Sequence, residues 1–403
     1  MGPERLRANI SKVLFLNSLW MFLLIMPVIV PFLRQYGLSM EQVFQLQAIF
    51  AVCIVVFEVP SGYIADLCGR RNSLIVAGVF HGLAFTVLAT SSSFSGFVVF
   101  EVLAALGQSF FSGSDVALLY DTEAALGEPE RTTRILGRRL FWSQVGETVA
   151  APIGGALVLA GLWWPAFLNA VVAWLPLLVA VTLVEPPRAK AQWQHRENFG
   201  RIFGVIFCTT PILRQSFLAL VAYGLSTLLA VWVFQGYWEQ LGISLWFFGF
   251  AWAGYNLIVA VTGHYAHRIE KRLGASRVVL IIGIVPIVGY LGMAACALTN
   301  VPIWIAIGGG LLFGATFQIG RGLTQVVIKA ALNERVPAEL RATANSLSSL
   351  GVRLLFAALG LLLGALIDVY GYPTGLGTFG AIFALAFLLV CLPLLGSIRR
   401  SST

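Results

Sequence analysis

Long apolar stretches, each near the roughly 20 residues a membrane helix needs, recur along the whole chain with short polar breaks between them. They predict spans at 13–33, 42–65, 73–90, 97–120, 140–162 and 165–183, then at 216–238, 245–266, 277–298, 302–328, 343–367 and 374–396. Helix is the required state, because a bilayer tolerates only helices or closed barrels, and barrels use short alternating segments. One longer polar interruption opens with Glu185-Pro186-Pro187 and continues through Lys190, His195 and Arg196. It sets a first six-span bundle over 1–183 apart from a second over 216–403, with a cytoplasmic linker at 184–215. The linker stretch from Phe199 to Leu213 is amphipathic and is expected to lie along the membrane surface.

Composition agrees with this all-α membrane reading. Only 11% of residues are charged and 58% are hydrophobic, against about a quarter charged in soluble domains. The net charge of +8 is a matter of placement. With both termini cytoplasmic, the inner segments hold Arg5, Arg7, Lys12, Arg70, Arg71, Arg131, Arg134, Arg138, Arg139, Arg188, Lys190, Arg196, Arg201 and Arg214. In the second half they hold Arg268, Lys271, Arg272, Arg277, Lys329, Arg335, Arg341, Arg399 and Arg400. The outer loops hold only Arg34, and Arg321 and Arg353 fall inside spans. Such an asymmetry marks the cytoplasmic side of a multi-pass inner-membrane protein and gives no reason to expect a nucleic-acid partner. The first apolar run follows basic residues as in a signal peptide, but it is too long and lacks a small-residue cleavage site, so it reads as a retained span. The 5 cysteines show no C-x-x-C spacing, which argues against a disulfide framework or a zinc site. His264 and His267 stand at the inner end of the eighth span with no ligand set around them, and read as interface histidines.

The halves echo each other. Ala124-Ala125-Leu126 followed by Arg131-Thr132-Thr133 returns as Ala330-Ala331-Leu332 followed by Arg341-Ala342-Thr343. Gly62-x-x-x-Asp66 before Gly69-Arg70-Arg71 returns weakly as Gly263-x-x-x-His267-Arg268 before Gly274. Weak symmetry of this kind is the mark of duplicated transporter folds.

The segment Gly62-Tyr-Ile-Ala-Asp66-Leu-Cys-Gly69-Arg70-Arg71 resembles motif A of the major facilitator superfamily, departing from it where Leu67 replaces a basic residue. Gly146 and Ala151-Pro152-Ile-Gly154-Gly155-Ala156 form a partial version of the exporters' motif C, whereas Leu103-Ala-Ala-Leu-Gly107 lacks the Arg usual in drug–proton antiporters. The resemblance implies 12 helices in two pseudo-symmetric six-helix bundles, and a central cavity lined by spans 1, 4, 7 and 10. It also implies alternating access and a conformational latch made of Gly62, Asp66, Gly69, Arg70 and Arg71 with Asp121.

An ionisable group inside a span is costly and therefore needs an explanation. The first half carries Glu58, Asp115 and Glu147, and the second carries Arg321 and Arg353. Aligning the repeated Ala-Ala-Leu sets Asp115 on Arg321 and Glu147 on Arg353. These five residues are the expected proton-coupling or gating groups, with Asp115 meeting Arg321 across the pseudo-two-fold axis and Glu58 meeting Arg353. The plainer alternative is that each charge braces its own bundle. Asp115 is the first candidate to titrate, because meeting and leaving an Arg tunes a carboxyl. Glu101, near the outer end of the fourth span, is expected to be within reach of water.

Polar and aromatic candidates for the cavity wall are Asn17, Gln108, Ser112, Tyr223, Trp232, Gln235, Tyr255, Asn256, Gln318 and Gln325. Walls of this kind suit an amphipathic organic solute. Trp238 and Trp246 read as interface anchors. No phosphate-cradling G-x-x-x-x-G-K-[ST] loop occurs, and neither catalytic clusters nor a cofactor site can be discerned. The expected function is proton-coupled export by a monomer. The alternatives are import of an organic solute, anionic or lipid-like, and a transport-inactive receptor.

Overall fold

The computed structural model describes residues 3–127, 132–187, 201–337 and 340–402, and among them every regular element is helical. Nine of these helices are long and apolar enough to cross a membrane: Met40–Cys68, Arg70–Thr90, Phe94–Ala125, Trp163–Val181, Pro211–Gln240, Leu245–Leu273, Ala275–Cys296, Ile303–Arg335 and Thr343–Arg400. Large apolar side chains such as Val59, Leu159, Trp304 and Val369 are exposed, as surfaces facing lipid require. The linker residues Arg188, Lys190, His195, Arg196 and Phe199, and Arg131 of the repeated motif, lie outside the described residues.

The chain forms two compact units. The first comprises Met1–Leu38, Leu46–Gln192 and Ser244–Ala253. Its helices are α1 (Pro3–Trp20), α2 (Ile29–Arg34), most of α3 (Met40–Cys68), α4 (Arg70–Thr90), α5 (Phe94–Phe111), α6 (Ser114–Ala125), α7 (Thr132–Leu157), α8 (Trp163–Val172) and α9 (Leu175–Val181). Val13, Leu16, Trp20, Leu74, Ala77, Phe111, Leu118, Leu119 and Ala180 form a core in this unit.

Of the spans expected to be continuous in this unit, the sixth divides into α8 and α9, and the first and fourth are broken more sharply. The first stops at Trp20 and resumes as helix only at Met26. There Pro27 opens a 3-10 turn and has no N–H to give, while the Ile25 N–H is taken by the Asn169 side chain at 3.3 Å. Gly146 and Gly154 of α7 press on this stretch so closely that a Cβ would meet Ser18 O at 2.1 Å and Leu24 O at 1.9 Å. The fourth span breaks at Ser112-Gly113, where Gly113 has φ 84°, a conformation other residues adopt at a cost.

The second unit comprises Ser39–Gln45, Trp193–Ile243 and Gly254–Thr403. It holds α10 (Pro211–Gln240), most of α11 (Leu245–Leu273), α12 (Ala275–Cys296), α13 (Ile303–Leu323), α14 (Lys329–Arg335), α15 (Arg341–Ala386) and α16 (Leu392–Ser402). A π-helical turn, Thr324–Ile328, joins α13 to α14, and a second, Phe387–Cys391, joins α15 to α16. Within α15 the chain departs from helical geometry at Gly371, φ 79° and ψ 170°. That residue separates the two stretches expected as spans 11 and 12.

Candidate functional site

The break between α5 and α6 leaves carbonyls in the last turn of α5 without their helical partners. Neighbouring serines supply the missing donors. The Ser61 hydroxyl of α3 donates to Ser109 O at 2.9 Å, and the Ser73 hydroxyl of α4 donates to Phe110 O at 3.0 Å. The Ser112 N–H returns to Gln108 O, and the Ser114 hydroxyl donates to Ser73 Oγ at 2.9 Å.

The break also gives α6 its own N-terminus within the unit, and Asp115 stands in its first turn, 0% exposed. A helix N-terminus favours a negative charge. The Arg139 guanidinium of α7 supplies the counter-charge, donating from Nε to Asp115 Oδ2. Asp115 Oδ1 has no hydrogen-bond partner among the described residues. The expected partner of Asp115 was Arg321; its partner here is Arg139, a residue read from the sequence as an inner-loop charge.

Beside the break, Trp20 lies between the rings of His81 and Phe111, at 4.1 and 4.0 Å, and its indole N–H donates to Gln108 Oε1 at 3.0 Å. Trp20 and His81 were not singled out in the sequence, because an aromatic or a histidine in a span is usually packing. Glu147 is half-buried and accepts from the Trp252 indole N–H at 3.0 Å, both in the first unit. Glu58 is exposed, and Arg353 is half-buried in the second unit. Arg321 sits half-buried in the last turn of α13, just ahead of the π turn, and makes no hydrogen bond or ion pair among the described residues.

The motif-A segment closes α3 and opens α4. Asp66 pairs with Arg70 one turn on. The acid that holds the start of α4 is Glu185, whose two oxygens accept the N–H groups of Arg70 and Arg71 at 2.8 and 2.7 Å. Gly69, φ 101°, lies directly beneath that carboxylate, so a Cβ would come within 2.9 Å of it. The Arg71 guanidinium reaches Val181 O at 2.8 Å. Gly62 is exposed, and Asp121 is half-buried on α6. No local pattern marks Glu185, which reads in the sequence as the first residue of a polar linker.

The expected cavity residues divide by burial. Asn17, Tyr223, Trp232, Gln235, Tyr255, Asn256 and Gln318 are buried, Gln108 is half-buried, and only Ser112 and Gln325 are exposed. Tyr255 donates its hydroxyl to Leu311 O at 2.8 Å and packs edge-on against Phe234 and Trp238. Asn17 donates back to Val13 O at 3.0 Å. Both of these side chains are bonded within their own units. Trp238, expected at an interface, is fully buried, whereas Trp246 is exposed. Glu101, expected within reach of water, is 2% exposed. Among the described residues no cluster of His, Cys, Asp and Glu could hold a metal.

The family profile described as Major Facilitator Superfamily matches residues 12–352. No curated protein matches the chain. Among solved structures, the nucleoside transporter NupG superposes with TM-score 0.72 at 12% identity, covering 97% of this chain and 99% of that one. A bacterial homologue of the human lysosomal transporter Spinster, inward-facing and unoccupied, gives 0.69 at 17%, covering 100% and 94%. A D-xylose-proton symporter gives 0.71 at 16%, covering 96% of each chain. At such identities the likeness speaks for the fold alone.

Proposed function

The chain belongs to the major facilitator superfamily, a family of transporters rather than enzymes, and from that premise we propose a proton-coupled exporter of small amphipathic organic solutes. Secondary transport of small solutes by an integral multi-pass membrane protein is the family's work. Twelve crossings are the reading that suits the helices. The departure from helix at Gly371 divides α15, so that Thr343–Arg400 counts as two, and the interrupted stretch 3–34 and the helix beginning at Thr132 each add one to the nine. With both termini cytoplasmic, as the basic residues favour, the break in the fourth span lies at membrane depth.

The observation that carries the coupling is the Asp115–Arg139 pair. A buried carboxylate is tolerable while its guanidinium and the α6 N-terminus compensate it. Any rearrangement that draws Arg139 away leaves the acid with a strong reason to take up a proton. The pair is therefore a switch linking helix geometry to protonation. Export is favoured by the glycines of the partial motif C, two of which seat α7 against the broken first span.

One observation favours a second reading. Arg321, half-buried and unpaired among the described residues, suits a substrate carboxylate or phosphate, and import of an organic anion would use it. Accumulation of a panel of cationic and anionic fluorescent solutes in energised cells separates the two. A fall in cationic dye that a protonophore reverses supports export. Uncoupler-sensitive uptake of an anion with no change for cations overturns it.

A further inference from the structure

The first unit holds a second buried acid that the switch does not use. Glu101 lies on α5, in the part of the fourth span on the far side of the Ser112-Gly113 break from Asp115, and is 2% exposed. At about 1.5 Å rise per residue the two acids are on the order of 20 Å apart along the span, so they are separate sites. Glu101 makes no ion pair with any described residue. Its partner is a neutral carboxamide: Gln47 of α3, itself buried, donates Nε2 to Glu101 Oε1 at 2.6 Å. Cys53, on the same helix as Gln47, is a further titratable group set near it.

A carboxylate sealed in a span without a cation is among the costliest groups a membrane protein can carry. The neutral acid is tolerated there, its carbonyl oxygen accepting the amide N–H. We propose that Glu101 is a proton-binding site, loaded while Gln47 seals it, and distinct from Asp115. The proposal rests on the proton-coupled reading above and adds a second site to it.

The surroundings of Gln47 give the site a way to unload. Gln47 stands just past the point where α3 passes from one unit to the other, Ser39–Gln45 belonging to the second and Leu46 onward to the first. In the second unit Asp368 of α15 holds the start of α3, its oxygens accepting the Met40 and Glu41 N–H groups at 3.0 and 2.6 Å. Gly364 admits this approach, since a Cβ there would meet Glu41 Cα at 2.6 Å. The start of α3 is thus held by Asp368. A movement of α3 that shifts Gln47 opens the acid to water and lets the proton leave.

Infrared spectroscopy of the purified full chain tests this, read at the C=O stretch of protonated carboxyls across pH. The wild type should show a protonated carboxyl at neutral pH, lost in Glu101→Gln and shifted to a weaker hydrogen bond in Gln47→Leu. Because the Gln variant keeps an amide in the acid's place, it should purify like the wild type. Asp115→Asn should leave the band in place. A spectrum without the band, or a band that survives Glu101→Gln, overturns the site. Failure here with protonophore-sensitive dye export intact removes Glu101 and leaves the exporter standing. The band without any such export keeps the proton site and removes the exporter.

Discussion

Asp115, in the first turn of α6, and Arg139 of α7 form an ion pair inside one unit, and that acid exists at a helix N-terminus only because the fourth span is broken at Gly113. The break, the serines that satisfy it and the pair are one construction. Each part suggests a change whose effect can be stated beforehand.

Removing Arg139 should cost far more than neutralising both partners. Arg139→Ala leaves a carboxylate fully buried without its counter-charge, a loss of about 3–5 kcal/mol. Asp115→Asn with Arg139→Gln should keep most of the stability, because no charge is stranded. Thermal unfolding of the three proteins in detergent checks the order.

Glu185 should behave as a remote cap of α4. Glu185→Ala removes two charge-assisted bonds to the Arg70 and Arg71 N–H groups, and about 1–3 kcal/mol with them. Glu185→Asp should recover only part of this, since the shorter side chain cannot reach both donors from the same backbone. Hydrogen exchange at the first turn of α4 should rise in both variants, most in the alanine.

Glycines of α7 should differ sharply according to what they face. Gly154→Ala sets a Cβ 1.9 Å from Leu24 O, and the backbone can yield only by moving the helices apart, at about 1–3 kcal/mol. Gly137→Ala meets nothing within 4 Å and should stabilise the helix by up to about 1 kcal/mol. Yield and melting temperature of the paired variants give the comparison.

Asp368→Asn should loosen the start of α3. The substitution keeps the shape of the side chain but leaves one acceptor oxygen where there were two, at a cost of about 1 kcal/mol. In a version lacking the native cysteines, a cysteine at Gln45 should react faster with a membrane-impermeant thiol reagent when Asp368 is Asn.

The apolar runs made the helical membrane class legible, because hydrocarbon permits few alternatives and span length follows from its thickness. The breaks were less so. Gly113 stands between Ser112 and Ser114-Asp115, a turn signal that the long apolar runs on either side outweigh. Pro27 could have raised the question in the first span. Asp115 was legible as an acid needing a partner, but Arg139 was not legible as that partner. Its neighbour Arg138 and the nearby basic residues gave it the look of a loop charge, and which helix it reaches is decided by packing. Glu185 was hidden for the same reason, since a carboxylate capping a distant helix leaves no local pattern. Tyr255 and Asn17 spend their polar atoms on backbone carbonyls of their own units, a choice composition cannot reveal.

The most direct test of the account is flux of a fluorescent cation in proteoliposomes, measured uphill under an imposed pH gradient and as equilibrium exchange, for wild type and Asp115→Asn. The account predicts that the gradient drives accumulation in the wild type, and that Asp115→Asn abolishes it while exchange persists. Uphill accumulation that survives Asp115→Asn would contradict the claim that this acid and Arg139 couple protons to transport.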